Sequence, residues 1–297
     1  MLLCLLLASL PTLAAGRITV VTTTADLASL AWEVGGDLIE TVAIAQSTND
    51  PEAFQPRPDD VIKLRSAQLV IRVGADFDLW LDRLLSQAGN ARLMKGAAGY
   101  VDASAGVALI EVSGASLGTS GHAHGAGNPH YWLDPHNAAA ITGSMLEGLA
   151  RIDPLHARQY ESRRNQFLSR LEVKLKIWEA RLAPLRGMPV IAYHNAWPYF
   201  ARRFRLNVVD YIEPKPGIPP SPAHLARLVA RMKEDRIRLV LKDPFESARI
   251  PDMLAGRAAA AVVVLAPTVG ALPQAGDYFS LFDYNVNALA AAWSARG

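Results

Sequence analysis

DPLHARQYESRRNQFLSRLEVKLKIWEARLAP, residues 153–184, is the stretch around which the chain is organised. Asp153 as N-cap and Pro154 at the first helical position form a helix start signal. Leu168, Leu171, Leu175, Trp178 and Leu182 then recur at spacings of three and four, an apolar seam on an otherwise charged helix. Pro184 and Gly187 end it. About 30 residues at ~1.5 Å each give a rod of ~45 Å, the height of two stacked lobes.

Outward from this helix, both flanks alternate strand and helix. On the N-terminal side, residues 18–22, 38–45, 69–73 and 107–112 read as strands, and residues 25–34, 59–66, 76–88 and 137–151 as helices. On the C-terminal side, residues 190–193, 208–212, 237–241 and 261–265 read as strands, and residues 196–204, 222–235, 247–256 and 279–292 as helices. Such alternation is the mark of parallel α/β structure. The expected fold is therefore two similar α/β lobes, each with a parallel four-stranded sheet, joined by one long rigid helix. The divisions are 1–15 leader, 16–152 N-terminal lobe, 153–184 connecting helix and 185–297 C-terminal lobe. Ligands of open α/β sheets sit beyond the carboxyl ends of the strands, so a site is expected in the cleft between the lobes.

Lys and Arg number 30 against 28 Asp and Glu, and no basic stripe points to nucleic acid. Residues 1–15, MLLCLLLASLPTLAA, form an apolar run ending in small residues, as in a secretory signal peptide, and are too short for a comfortable membrane span. The one cysteine, Cys4, lies in that leader. The mature chain then lacks disulfides, thiolate metal sites and a cysteine nucleophile.

Chemistry concentrates in a few loops. Asn128-Pro-His-Tyr-Trp-Leu-Asp-Pro135 holds His130 in a stiff, proline-framed segment. His194 ends a strand in AYHNAWPYF, residues 192–200, and a titratable residue there either faces the cleft or caps the next helix. Glu52, in NDPEAFQPRP at residues 49–58, is either an oxygen ligand or a solvated loop carboxylate. Glu213 and Asp277 are candidates for a further ligand, with Asp243 a weaker one. His122 and His124 sit among glycines, where metal capture costs ordering entropy. His136, His156 and His224 lie near helix starts and read as capping or surface residues.

Taken together in this order, Asp50-Pro51-Glu52, His130-Tyr-Trp-Leu-Asp-Pro135, Tyr193-His194 with Tyr199-Phe200, Glu213-Pro214 with Ser221-Pro222, and Asp277-Tyr278 with Asn285 resemble the periplasmic metal-binding proteins of zinc and manganese ABC importers. The resemblance covers nearly the whole chain after the leader. It implies two lobes on a rigid connecting helix, modest lobe movement, and capture rather than catalysis. It also implies a monomer that docks on an ABC permease driven by a cytoplasmic ATPase. By position, His130 and His194 match the family's metal ligands. Glu52 stands where a histidine is usual, Ala266 where an aspartate is common, and the histidine-rich loop shrinks to His122-Ala-His124.

Two imidazoles and a carboxylate suit tetrahedral Zn²⁺ and equally accept Mn²⁺ or Fe²⁺. Coordination needs neutral imidazole, so binding weakens as pH falls through the ordinary histidine range near ~6.5. Two rivals stay open: a protein of the same fold that binds a metal chelate, and a zinc hydrolase. Against the hydrolase, the chain has no His-Glu-x-x-His motif, and Glu213 is the only candidate base.

Overall fold

Strand β1 (Ile18–Thr22) pairs in parallel with β2 (Ile39–Ala43) on one side and β3 (Leu69–Arg72) on the other, and β4 (Tyr100–Asp102) extends the sheet beyond β3. The same pattern recurs after the long helix. Strand β5 (Pro189–Ala192) lies between β6 (Asn207–Tyr211) and β7 (Leu239–Lys242), with β8 (Ala261–Val264) outside β7. The strand orders, β2-β1-β3-β4 and β6-β5-β7-β8, are equivalent. All four residues of β3 and of β7 are buried, as expected for parallel strands covered on both faces. The structure is a computed structural model and describes residues 16–45, 47, 54–111, 127–214 and 218–295. The leader, residues 1–15, lies outside the described residues.

The helices are α1 (Ala25–Gly35), α2 (Pro58–Ser66), α3 (Trp80–Ala88), α4 (Ala138–Ile152), α5 (Ala157–Arg181), α6 (Pro198–Phe204), α7 (Pro222–Glu234), α8 (Arg249–Ala258) and α9 (Tyr278–Ser294). Among the described residues no helix is long and apolar enough to cross a membrane.

Three expectations need correction. The fourth strand of the first sheet is Tyr100–Asp102, not residues 107–112. Residues 107–110 are irregular, and their backbone is used elsewhere: Ile110 N–H donates to the Tyr199 hydroxyl at 3.1 Å, and Ile110 C=O accepts from Asn128 N–H at 2.8 Å. The long helix is also not one α-helix from Asp153. A 3-10 turn at Pro154–His156 precedes α5, and another at Ala183–Leu185 follows it. Asp153 caps no backbone N–H with its side chain, because Oδ2 is taken by His156 Nδ1 and the Tyr160 hydroxyl, both at 2.7 Å. The buried seam is Tyr160, Phe167, Leu171, Trp178 and Leu182, while Leu168 and Leu175 are only partly buried.

That seam joins the two halves. α5 packs against α1 and α4 at one end and against α9 along its length. Phe167 meets Phe279 edge-on at 5.4 Å, Trp178 packs on Phe282 at 5.1 Å, and Trp178 Nε1 donates to Asp283 Oδ1 at 2.8 Å. At its start α9 crosses back to the first half, where Tyr278 N–H donates to Ser29 Oγ at 3.0 Å. One hydrophobic cluster consequently runs from Val20 in β1 to Ala290 in α9. Relative movement of the halves would have to break this shared core, consistent with a rigid connection.

Candidate metal site

Sheet register builds half of the site. Ala192, at the end of β5, pairs with Tyr211 of β6 and with Leu241 of β7. Two residues further along each strand, His194, Glu213 and Asp243 therefore emerge side by side. His194 Nδ1 lies 2.8 Å from Glu213 Oε2. The carboxylate accepts the Nδ1 proton, which keeps the ligand-competent lone pair of neutral His194 on Nε2. Asp243 is buried, and its Oδ1 accepts from Trp197 Nε1 at 3.2 Å.

The other half comes from an irregular segment held by side-chain hydrogen bonds. Asn128 Oδ1 accepts from His130 N–H at 3.0 Å and lies 3.1 Å from His130 Nδ1. Asn128 Nδ2 donates to Glu111 Oε2 at 3.1 Å and to Asn195 C=O at 3.0 Å. These bonds orient the amide with oxygen toward His130, so Nδ1 of the neutral ring is the donor and Nε2 carries the lone pair. The 3-10 turn Tyr131–Leu133 follows immediately. The Tyr131 hydroxyl donates to Val73 C=O at 2.6 Å, Trp132 Nε1 to Pro267 C=O at 2.9 Å, and the Tyr278 hydroxyl to Trp132 C=O at 2.7 Å. Burial holds the hydroxyl pKa values of Tyr131 and Tyr278 well above the ordinary tyrosine range, so both keep their protons and remain donors. Asp134 is held by Arg203 of α6, at 2.7 and 3.1 Å. The turn is thus pinned to both halves.

The two imidazoles meet across the halves. Their ring centroids are 5.8 Å apart and their planes lie at 76°. His130 is 5% and His194 8% exposed. Together with Phe77, Trp132, Asp243, Glu246 and Pro267 they line a cavity of about 20 Å³, room for one ion or water. Tyr193 beside it is pushed up to about 12, by burial first and then by the carboxylates of Glu246 and Glu213. Its hydroxyl is therefore a standing donor to Glu246.

Among the described residues no three His, Cys, Asp or Glu side chains are grouped closely enough to hold one metal ion. Glu52, His122 and His124 lie outside the described residues. Asp277 stands elsewhere: it is the N-cap of α9 in a capping box with Ser280, lining a surface depression with Ser29, Trp32 and Glu33. The Asp277-x-x-Ser280 spacing was the available signal for that role. The cavity wall also carries Glu246, to which the sequence reading gives no role, and Asp243, to which it gives only a weaker one. Strand-end position marked both, but only the strand order β6-β5-β7 brings Asp243 beside His194. Ala266, where an aspartate was expected, is buried, and the Asn285 side chain bonds both its N–H and its C=O at 2.8 Å. His156 and His224 serve local structure, His224 Nε2 lying 2.9 Å from Tyr211 C=O.

Residues 20–292 match the family described as ZnuA, zinc-uptake complex component A, periplasmic. The chain is 24% identical over 282 residues to the high-affinity zinc uptake system protein ZnuA of Bacillus subtilis, covering 92% of this chain and 86% of that protein. It is 23% identical over 292 residues to the zinc-binding protein AdcA of Streptococcus pyogenes, covering 93% of this chain and 56% of AdcA. Among solved structures, a crystal structure of ZnuA superposes with a TM-score of 0.80 at 24% identity, covering 93% of this chain and 99% of that one. A zinc-bound ZnuA lacking residues 138–173 of its own chain superposes with a TM-score of 0.79 at 25% identity, covering 93% and 98%. A manganese-bound periplasmic metal-binding protein from Candidatus Liberibacter asiaticus shares the fold, with a TM-score of 0.77 at 17% identity over 93% of this chain and 99% of that one.

Proposed function

This chain belongs to the family of periplasmic component A proteins of zinc-uptake complexes, and from that premise we propose that its cargo is Zn²⁺, taken by His130 and His194 with Glu52 as a third ligand. As a member of the family it is a periplasmic solute-binding protein that captures a divalent transition metal for an ABC importer, and it is a carrier rather than an enzyme. The choice of zinc rests on the donor set, because imidazole suits zinc better than the oxygen-rich sites preferred by manganese. The relatives named for zinc uptake point the same way.

The observation that supports the site above all is the approach of two buried imidazoles, 5.8 Å between centroids, from opposite halves of the molecule. Each has its Nδ1 committed, one to an amide oxygen and one to a carboxylate. Metal-binding histidines are typically supported in this way. For a fourth position we propose, in place of Asp277, that either Asp243 or Glu246 swings in from the cavity wall when the ion binds, since neither is grouped with both imidazoles as the side chains stand. The division into lobes 16–152 and 185–297 on a connecting segment 153–184 remains our proposal for the domain plan, with the chain acting as a monomer.

Competition titration against a chromophoric zinc chelator tests the reading. Wild-type protein should take one equivalent of zinc in preference to manganese or ferrous iron. Equal or higher preference for manganese would overturn the assignment of cargo. Unchanged zinc affinity in His130→Ala and His194→Ala would remove both residues from the site.

A further inference from the structure

A second, strongly basic pocket opens at the opposite end of β5 from His194. Arg186, Arg202, Arg203 and Arg205, with Glu179 and Phe204, line a cavity of about 230 Å³. Backbone bonds fix the turns that carry these side chains. Gly187 N–H donates to Arg205 C=O at 2.6 Å, and Asn207 N–H to Met188 C=O at 3.0 Å. Arg205 ends α6 in the left-handed region, φ 60° and ψ 36°, an uncommon conformation for a residue with a side chain.

Charge in this pocket is not balanced. Arg203 forms its floor, held by the buried carboxylate of Asp134 and lying 3.9 Å from Glu179 Oε1. Four guanidiniums thus face two carboxylates, leaving a net charge of about +2. Among the described residues Arg186, Arg202 and Arg205 form no ion pair. A helix dipole accounts for part of the cluster, since Arg202 and Arg203 lie in the last turn of α6. It does not account for Arg186 or Arg205, which lie outside the helix. Several guanidinium forks converging on one cavity suit the tetrahedral oxygens of a phosphate group.

We propose that this pocket binds a phosphate-type anion through Arg186, Arg202 and Arg205, over a floor formed by Arg203 and Asp134. Free phosphate and the phosphate of a lipid headgroup share this chemistry, and the two arms of the test separate them. The full-length protein is titrated calorimetrically with inorganic phosphate in phosphate-free buffer. In parallel it is sedimented with vesicles of phosphatidylglycerol in phosphatidylcholine.

Saturable one-to-one uptake of phosphate, or binding to the anionic vesicles, is expected for the wild type. Arg202→Gln with Arg205→Gln should weaken it at least about tenfold, because charge-assisted hydrogen bonds are lost. Arg158→Gln with Arg257→Gln, an equal charge change on the outer surfaces of α5 and α8, should leave it within about twofold. Binding to phosphate alone assigns the free anion, and binding to vesicles alone assigns the headgroup. Absence of binding to both probes overturns the proposal. So does retention in the pocket pair, or an equal loss in both pairs. If the pocket pair melts below the wild type, Arg186→Gln, which alters one exposed turn, gives the same readout.

Discussion

Equivalent strand ends in the two sheets carry very different residues. Two positions beyond the paired ends of β5, β6 and β7 stand His194, Glu213 and Asp243; the same positions beyond β1, β2 and β3 are Thr24, Ala45 and Val73. Thr24 is buried and its hydroxyl has no hydrogen-bond partner among the described residues. The first half instead supplies His130 from an irregular turn. One architecture thus solves the positioning problem in two ways: sheet register places His194, and a lattice of side-chain hydrogen bonds around Asn128 places His130. A ligand placed by register has the whole sheet behind it, whereas one placed by side chains depends on each of them.

That contrast can be broken in order of effect. Removing either imidazole, by His130→Ala or His194→Ala, should lower zinc affinity by at least about a hundredfold, beyond the ~10–100-fold typical of lost supporting bonds. The supports themselves should differ. Asn128→Ala leaves His130 without its orienting amide and should cost nearer ~100-fold, while Glu213→Gln should cost nearer ~10-fold, because β5 still aims His194. Equal losses in competition titrations would remove the distinction between the two modes of positioning.

A smaller effect concerns stability and joins the halves. Asp26, in the first turn of α1, accepts from the Thr268 hydroxyl and, at 2.9 Å, from Val269 N–H, in the loop after β8. Burial raises its carboxyl from 3.8 to about 7. The folded protein therefore holds this proton more tightly than the unfolded chain does. The resulting stabilisation is complete below pH 3.8 and is lost as pH rises through about 7. In Asp26→Asn this part of the pH dependence should vanish, flattening the denaturation free energy across that window by an amount on the order of a few kcal/mol. An unaltered pH profile would mean that Asp26 does not carry it. The smallest change in affinity is expected at the counterpart of His194: Thr24→Val removes a buried hydroxyl that makes no hydrogen bond among the described residues, and should leave zinc affinity within error while raising the melting temperature.

Much of this plan was legible in the sequence, for physical reasons that vary by element. Strands such as LVIR at 69–72 and LVLK at 239–242 are read easily, because both faces are buried and the run is continuously apolar. β4 was missed because three residues at a sheet edge leave no period to detect, while the apolar residues at 107–110 pack without joining a sheet. The long helix is legible from its Asp153-Pro154 start and its apolar seam at spacings of three and four, but the seam differs where Phe167 takes the buried place given to Leu168. His194 and Glu213 could be found from strand-end position. The closeness of Asp243 could not, because it depends on which strand lies next to which. Asp277 is the reverse case: the sequence offers it as a possible ligand, while its spacing to Ser280 marks the helix cap it forms.

The central claim, that imidazoles placed by two different means converge on one ion, is tested most directly by a crystal structure of the zinc-loaded protein with anomalous data at the zinc edge. The account predicts a single peak about 2.0–2.1 Å from Nε2 of both His130 and His194. A peak bonded to only one of them, or lying at another site while both rings remain uncoordinated, would contradict it.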